Sequence, residues 1–184
     1  MRIQDIQAIG LTGATPEGGW SNELRPEDSV HTLVVVRSDE GHTGVGSVFT
    51  NAGLVRAALA ILEPLYRGEN PLEPERVSEK LHQHTFWLGR GGSLTHAISG
   101  IDIALWDILG QSLGVPVYQL LGGACRQRVP CFATPGGLTG PEIVEKAKAF
   151  VAEGWRVLRF GPGMPGADWT GGDGAVYEPL ESLD

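Results

Sequence analysis

The sequence has few of the residues and segments that mark specialised protein classes. Its two cysteines, Cys125 and Cys131, are too few for a disulfide framework and have no partners at zinc-site spacing. No apolar run approaches the roughly 18 residues that a membrane-spanning helix needs. The residues after Met1 lack the charged-then-apolar layout of a signal peptide. We therefore expect a cytoplasmic protein that has no membrane partner.

Basic residues are also scarce. The 184 residues include 22 acidic and 14 basic side chains, which give a formal net charge of −8. A surface of this sign is poorly suited to phosphate groups, so we expect no nucleic-acid partner. Hydrophobic residues make up 41% and charged residues 20%, which is ordinary globular usage and argues against disorder. The length allows one large domain or two small ones.

The first two thirds of the sequence predict an α+β domain. Three segments rich in β-branched or alternating apolar residues, 3–11, 31–37 and 43–49, predict a three-stranded antiparallel sheet. Apolar residues then recur every three or four positions, which predicts helices from Leu54, from Pro74, and from about Ser93 to Leu113. Ser93 is the predicted N-cap of the third helix. That helix is apolar on nearly every side, so we expect it to be buried.

The pattern changes near Gly123. Residues 129–133 and 155–160 read as short strands, and the period between them predicts a helix over 141–153 that ends at Gly154. A strand, a helix and a second strand within some thirty residues are typical of a parallel sheet. We therefore predict two domains, 1–123 and 124–184.

Two neighbouring motifs carry a family resemblance. Residues 97–111, AISGIDIALWDILGQ, followed by 116–122, PVYQLLG, closely resemble the signature of the mandelate racemase and muconate-lactonizing branch of the enolase superfamily. The resemblance implies a capping domain of three strands and a helical bundle, followed by a (β/α)7β barrel. A barrel of this kind needs about 250 residues, and only two of its β/α units begin here. We therefore expect an N-terminal portion of a longer enzyme, or a truncated gene product.

The resemblance also implies a cofactor and a reaction. Family enzymes bind a substrate carboxylate against Mg²⁺ while a base removes the neighbouring proton. The oxygen ligands that Mg²⁺ needs lie in the family at the ends of the third to fifth barrel strands. We expect them downstream of residue 184, and no metal site within the chain. Asp102 and Asp107 lie in the apolar helix, where a carboxylate must find donors, so we predict structural roles for both.

The residues after the second predicted barrel strand favour one reaction. Many relatives carry Lys-x-Lys there, and those two positions fall on Arg159 and Gly161. Glycine cannot transfer a proton, and arginine stays protonated at ordinary pH. The pattern resembles the acid-sugar dehydratases, in which an Arg on this strand works with a Tyr from the next loop. The resemblance thus implies Arg159 and Tyr177 as a catalytic pair; the alternative is a salt-linked Arg and a packed Tyr.

Two loops of the capping domain, 12–29 and 50–53, correspond to loops that close over the barrel mouth in the family. The resemblance implies that Trp20, Asn22 and Asn51 bind the substrate, because an aromatic wall with amide donors suits a hydroxylated acid. Alternatively, Trp20 pins its loop and Asn51 caps a helix. Thr134 follows the first barrel strand and, by the rule that barrel sites lie at strand C-termini, points to the catalytic face. It would bind a substrate hydroxyl or cap the next helix.

The sequence therefore predicts part of a Mg²⁺-dependent enzyme that removes the proton next to a carboxylate. The first hypothesis is an acid-sugar dehydratase acting on a small sugar acid. A cycloisomerase or racemase of the same superfamily is the alternative within the family. A non-catalytic module whose helices form an oligomer interface is the alternative from another class. Family members often assemble as dimers or octamers, which implies a homo-oligomer.

Overall fold

The computed structural model describes residues 1–11, 31–134 and 141–159. The chain divides into two compact units, Met1–Ala124 and Cys125–Asp184. Trp20, Asn22 and Tyr177 lie outside the described residues. The elements of the first unit are β1 (Ile3–Gly10), β2 (His31–Ser38), β3 (Thr43–Phe49), α1 (Ala52–Tyr66), α2 (Pro74–Thr85), a 3₁₀ turn (Phe86–Leu88), α3 (Gly92–Leu113) and α4 (Val117–Leu120). No helix of the described part is long and apolar enough to cross a membrane.

The three strands form one antiparallel sheet in the order β1-β2-β3, which confirms the predicted sheet. Val36 of β2 lies opposite Ile6 on one side and Gly44 on the other. Because side chains alternate along each strand, one face of the sheet carries its most deeply buried residues: Ile3, Ile6, Val34, Val36 and Val48. This face forms half of the core.

The helices supply the other half of the core, and α3 lies unusually close to the sheet. A Cβ added at Gly44 would stand 2.0 Å from the Ala104 carbonyl oxygen. One added at Gly46 would stand 2.0 Å from the Gly100 carbonyl oxygen. The helix backbone therefore rests on strand positions that have no side chain. Around this contact the buried residues of the helices include Val55, Leu62, Val77, Leu81, Ile98, Ile101, Leu105 and Ile108.

Two predictions about α3 were wrong in detail. Ser93 is not its N-cap: the helix begins at Gly92, and Gly91 holds the cap position in an extended conformation without a side-chain hydrogen bond. The helix therefore starts two residues too early for Ser93 to cap it. The helix is also not buried all round, since Ile103 is 47% exposed. The sheet and the neighbouring helices α1, α2 and α4 leave one side of α3 uncovered by described residues.

In the second unit the helix forms as predicted, whereas the strands are much shorter than predicted. Helix α5 runs from Pro141 to Ala152. The two predicted strands are reduced to one parallel bridge, Ala133 with Leu158. Its direction agrees with the predicted parallel pairing. The predicted first strand contains Pro130, which has no N–H to donate to a ladder.

Candidate active site

The parallel bridge places two predicted site residues at one edge of the second unit. The Ala133 N–H donates to the Val157 carbonyl at 3.1 Å, and the Arg159 N–H donates to the Ala133 carbonyl at 2.8 Å. Thr134 and Arg159 each follow a bridge residue directly, so both leave the pair at its carboxyl edge. Both residues are exposed. The structure thus brings together a hydroxyl-bearing and a cationic residue on the edge where sites of parallel barrels lie.

The Arg159 guanidinium has an aromatic neighbour that the sequence reasoning missed. Its Cζ lies 5.9 Å from the ring centroid of Phe132, within the range of a cation–π contact. Arg159 forms no ion pair with any residue of the described ranges. A sequence signal for this contact was available. The aromatic Phe132 directly precedes the bridge residue Ala133, on the strand next to the one that carries Arg159. Among the described residues, the Arg159 guanidinium therefore has an aromatic neighbour and no carboxylate partner.

In the first unit, both predicted loops start from one end of the sheet. The Leu11 N–H donates to the His31 carbonyl at 2.9 Å, so the two ends of the segment 12–30 meet at the β1–β2 pair. The Thr32 hydroxyl donates to the Thr50 carbonyl at 2.7 Å, and Thr50 begins the loop that follows β3. The anchor points of the two predicted specificity loops are therefore neighbours.

Asn51 begins α1 in the manner of an N-cap. Its backbone is extended, and its side-chain Oδ1 accepts a hydrogen bond from the Gly53 N–H at 2.8 Å. An N-cap oxygen satisfies one of the helix N–H groups that have no helical partner. The capping alternative for Asn51 is therefore the contact that the structure contains, and substrate binding by Asn51 stays a prediction.

The two aspartates of α3 contact different neighbours. Asp107 Oδ2 accepts from the Val45 N–H at 2.9 Å, and Gln111 Nε2, one helical turn on, donates to the Thr43 carbonyl at 2.9 Å. These bonds satisfy outward-facing groups of β3, an edge strand. Asp102 is half-buried against α2: burial raises its pKa, and a hydrogen bond from Ser78 opposes that rise. Gln111 was missed, although its i+4 spacing from Asp107 was visible in the sequence.

The family is decided by a match that covers two strands of the sheet, β2 and β3, the helices α1 to α4 and both aspartates. Residues 26–122, just over half of the chain, match the model of the mandelate racemase / muconate lactonizing enzyme N-terminal domain. The chain belongs to this family. The resemblance read from residues 97–122 is thereby confirmed.

The relatives of this N-terminal domain are longer proteins. A D-galactonate dehydratase family member from Paenibacillus sp. (strain JDR-2) is 41% identical over 133 residues, which cover 70% of this chain and 32% of that protein. A D-mannonate dehydratase from Caulobacter sp. (strain K31) is 34% identical, over 82% of this chain and 38% of that protein. The chain thus spans about a third of the length of the curated relatives it matches.

A solved structure agrees with this placement. An enolase from Agrobacterium radiobacter, whose structure contains bound sodium and L-malate, superposes with a TM-score of 0.71 at 25% identity. The match covers 88% of this chain and 38% of that one. The ligand of that enolase is a small hydroxylated dicarboxylate.

The described residues do not supply a metal site. Within 1–11, 31–134 and 141–159, no three His, Cys, Asp or Glu side chains stand close enough together to hold an ion. Mg²⁺ prefers several oxygen ligands in octahedral geometry, and that donor set is not found in this part of the chain.

Proposed function

We propose that this chain is the capping domain and the first two β/α units of an acid-sugar dehydratase that depends on Mg²⁺. The observation that carries the proposal is the position of Arg159, a permanent cation at the carboxyl edge of a parallel strand pair, beside the hydroxyl-bearing Thr134. The names of the relatives from Paenibacillus and Caulobacter support the same class of reaction. We place the protein in the cytoplasm as a homo-oligomer.

In this proposal the chain contributes binding and proton-transfer groups to an elimination. A base takes the proton next to the carboxylate, the hydroxyl on the next carbon leaves with a proton, and the product is an enol that becomes a keto acid. Arg159 works with Tyr177 near the reacting atoms, since a guanidinium stabilises developing negative charge without giving up its own proton. The Thr134 hydroxyl binds a substrate hydroxyl.

In this proposal the metal ion is bound by residues outside the described part of the chain. Mg²⁺ supplies positive charge beside the substrate carboxylate when it is bound. The described residues contain no ligand set for it. Because the family resemblance implies ligands at the ends of the third to fifth barrel strands, we propose that they lie in sequence downstream of residue 184.

The capping loops contribute specificity. We propose that Trp20, Asn22 and Asn51 contact the substrate when the loops close over the barrel mouth and exclude water. The neighbouring anchor points of the two loops, at the Leu11–His31 pair and at Thr50, support a joint role. Asn51 would do this with its side-chain NH₂, since its Oδ1 already caps α1.

One observation disfavours the isomerase alternative. A racemase that works from two faces needs a second proton-transferring side chain, and the position that holds this lysine in many relatives is Gly161. A cycloisomerase remains the second candidate within the family. The non-catalytic module differs from both in that it predicts no exchange of substrate protons at all.

The test uses the longest natural protein that contains residues 1–184, assayed with Mg²⁺ against a panel of hexonates and hexarates. We expect one or a few of these acids to yield a keto acid. Arg159→Met should lose dehydration at least about 100-fold, whereas Arg156→Met, which replaces an exposed arginine on the same segment, should keep it. Running the reactions in D₂O also shows whether the proton next to the carboxylate exchanges with solvent. Racemised substrate without keto acid would support the isomerase, and no proton exchange with any acid would support the module.

A second assay tests where the metal ligands lie. Residues 1–184 alone, with Mg²⁺ and the substrate found above, should show no turnover and no tight Mg²⁺ binding by calorimetry. Turnover at an ordinary enzymatic rate would contradict the proposal that essential groups lie outside this chain.

A further inference from the structure

Phe132 and Arg159 lie on the same face of the strand pair in the second unit. In the parallel bridge Ala133 lies opposite Leu158, and successive side chains along an extended chain point to opposite sides. Phe132 and Thr134, which flank Ala133, therefore share a side with Arg159, which follows Leu158. The distance of 5.9 Å from the Arg159 Cζ to the Phe132 ring centroid agrees with this placement. One face thus carries an aromatic ring, a cation and a hydroxyl group.

The Phe132 ring is a suitable neighbour for a cation that has to stay charged. The negative face of an aromatic ring attracts a guanidinium without neutralising it. A carboxylate in the same place would neutralise the charge and would occupy two of the N–H donors of the arginine. The contact with Phe132 therefore leaves the charge and the donors of Arg159 available to a ligand.

The ring projects from an anchored stretch of backbone. Ala133, the next residue, is 7% exposed. Its N–H donates to the Val157 carbonyl, and its carbonyl accepts from the Arg159 N–H. Arg159 is itself exposed, and a long arginine side chain in solvent samples many rotamers. Phe132 is therefore an ordered support beside a side chain that is flexible without one.

We propose that Phe132 is a positioning residue for Arg159. The ring holds the guanidinium at the place where negative charge develops during the elimination, so the inference rests on the proposed function of Arg159. A group that stabilises a transition state is effective when it is oriented before the charge develops, and small displacements of such a group are costly. Phe132 transfers no proton in this role and acts only through Arg159.

The first experiment measures kcat and KM for dehydration by the longest natural protein that contains residues 1–184, with the substrate found above. Phe132→Leu removes the ring and should lower kcat about 5-fold or more, the size of a cation–π contact, while KM changes less than about 2-fold. Phe132→Tyr keeps a ring and should retain most of the activity. Phe150→Leu removes a ring that lies 6.4 Å from the Trp155 ring in the same unit, and it should leave kcat unchanged.

A double variant separates positioning from a general effect on folding. In the Arg159→Met background the guanidinium is already absent, so adding Phe132→Leu should lower kcat by less than about a further 2-fold. A purely structural role of Phe132 would give the same loss in both backgrounds. Equal losses in the two backgrounds, a loss in Phe132→Tyr as large as in Phe132→Leu, or an undiminished kcat in Phe132→Leu would each overturn the inference.

A measurement without turnover distinguishes the failure of this inference from the failure of the proposed function. In the same protein with isotopically labelled arginine, the NMR resonance of the Arg159 Nε–H is identified by its loss in Arg159→Met. It should shift in Phe132→Leu, because the ring current is gone, and stay in place in Phe150→Leu. A resonance that Phe132→Leu leaves unmoved would overturn the inference at any level of activity. A shifted resonance in a protein that dehydrates no acid would overturn the proposed function, and the positioning role with it.

Discussion

Helices α3 and α5 have similar sequence periods but very different surroundings. Eight residues of α3 are buried, including Ile98, Ile101 and Leu105. None of α5 is buried, and Val144 and Val151 are 50% and 61% exposed. A period of three to four residues therefore predicts a helix, but it does not predict whether the apolar face finds a partner. The partner of α3 is a sheet that has no side chain at the positions where the helix crosses it.

The close contact of α3 with β3, rather than the hydrophobicity of α3, distinguishes this helix from α5. Gly44 and Gly46 let two helix carbonyl oxygens approach positions where any Cβ would stand. The described part of the second unit offers α5 one isolated bridge in place of a sheet. The comparison predicts that stability resides in the α3 contact, and that changes to α5 have small effects.

The largest expected effect is that of a methyl group at the crossing. Gly46→Ala would place a Cβ against the Gly100 carbonyl oxygen, which belongs to a helix backbone and cannot move aside. We expect a loss of about 3 kcal/mol or more in the free energy of unfolding, a large share of the stability of a small domain. Urea titration followed by circular dichroism measures it.

Two controls make this result specific. Gly91→Ala adds a methyl group with no atom within 4 Å, at the extended N-cap position of α3, and should cost no more than about 1 kcal/mol, because alanine is a poorer N-cap than glycine. Val144→Ala on α5 should likewise change little. If Gly46→Ala unfolds at the same urea concentration as Gly91→Ala, the close crossing does not limit stability.

The next effect concerns the edge of the sheet. Asp107→Ala removes the acceptor of the Val45 N–H, and a hydrogen bond to a charged group contributes roughly 1.5 kcal/mol or more. Asp107→Asn keeps an acceptor oxygen and should cost less. Hydrogen exchange of the Val45 amide, measured by NMR, should speed up in the alanine variant ahead of the amides of β2. Unchanged exchange would mean that this bond does not hold the edge.

Much of the first unit could be predicted because its signals are local. The alternation in 43–49 gave β3 at its observed bounds, and Pro74 opens α2 as its fixed φ favours. The start of α3 was misjudged because a capping serine was preferred to an extended glycine at position 91. The close crossing could not be predicted, since glycines in β3 are compatible with a bulge, a turn or a close approach, and only the register against α3 distinguishes them.

The candidate site was harder to predict because its residues come from separate segments. Thr134 and Arg159 were found through the expected strand order, and the parallel bridge places them at one edge. Phe132 and Gln111 were missed because their partners lie 27 and 68 positions away in sequence. The i+4 spacing of Gln111 from Asp107 shows that the two share a helix face, but it does not show which strand that face contacts.

A smaller effect depends on pH. Glu69 accepts from Lys80 Nζ at 2.6 Å and also pairs with Arg76. The hydrogen bond from Lys80, followed by that from Arg76, lowers the pKa of Glu69 below its ordinary 4.5. The native state therefore binds fewer protons, so this contribution is present above pH 4.5 and is lost as pH falls through the lowered pKa.

Glu69→Gln tests this contribution. We expect the variant to lose up to about 1 kcal/mol at pH 7, and to approach the wild type as the pH falls below 4. Glu145→Gln on α5 removes the partner of Lys148 from an ion pair that is 72% exposed at the glutamate, and it should have no measurable effect at either pH. Thermal unfolding across pH 3 to 7 measures both. Equal losses in the two variants would contradict the expected difference between the Glu69 charge cluster of the first unit and the exposed ion pair on α5.

The smallest effect has the opposite sign. Burial against α2 raises the pKa of Asp102 above its ordinary 3.8. At a pH between 3.8 and the raised pKa, the native state therefore binds more protons than the unfolded state. This contribution is therefore fully present below pH 3.8 and is lost as pH rises through the raised pKa. Asp102→Asn has no carboxylate to desolvate and keeps an acceptor for Ser78. At pH 7 it should gain roughly a few tenths of a kcal/mol, because solvent screens a half-buried group, and the gain should vanish near pH 3.5 in urea titrations. A loss at pH 7 would show that the charge of Asp102 is needed where α3 meets α2, and the structural role predicted for this residue would then include an ionic contact.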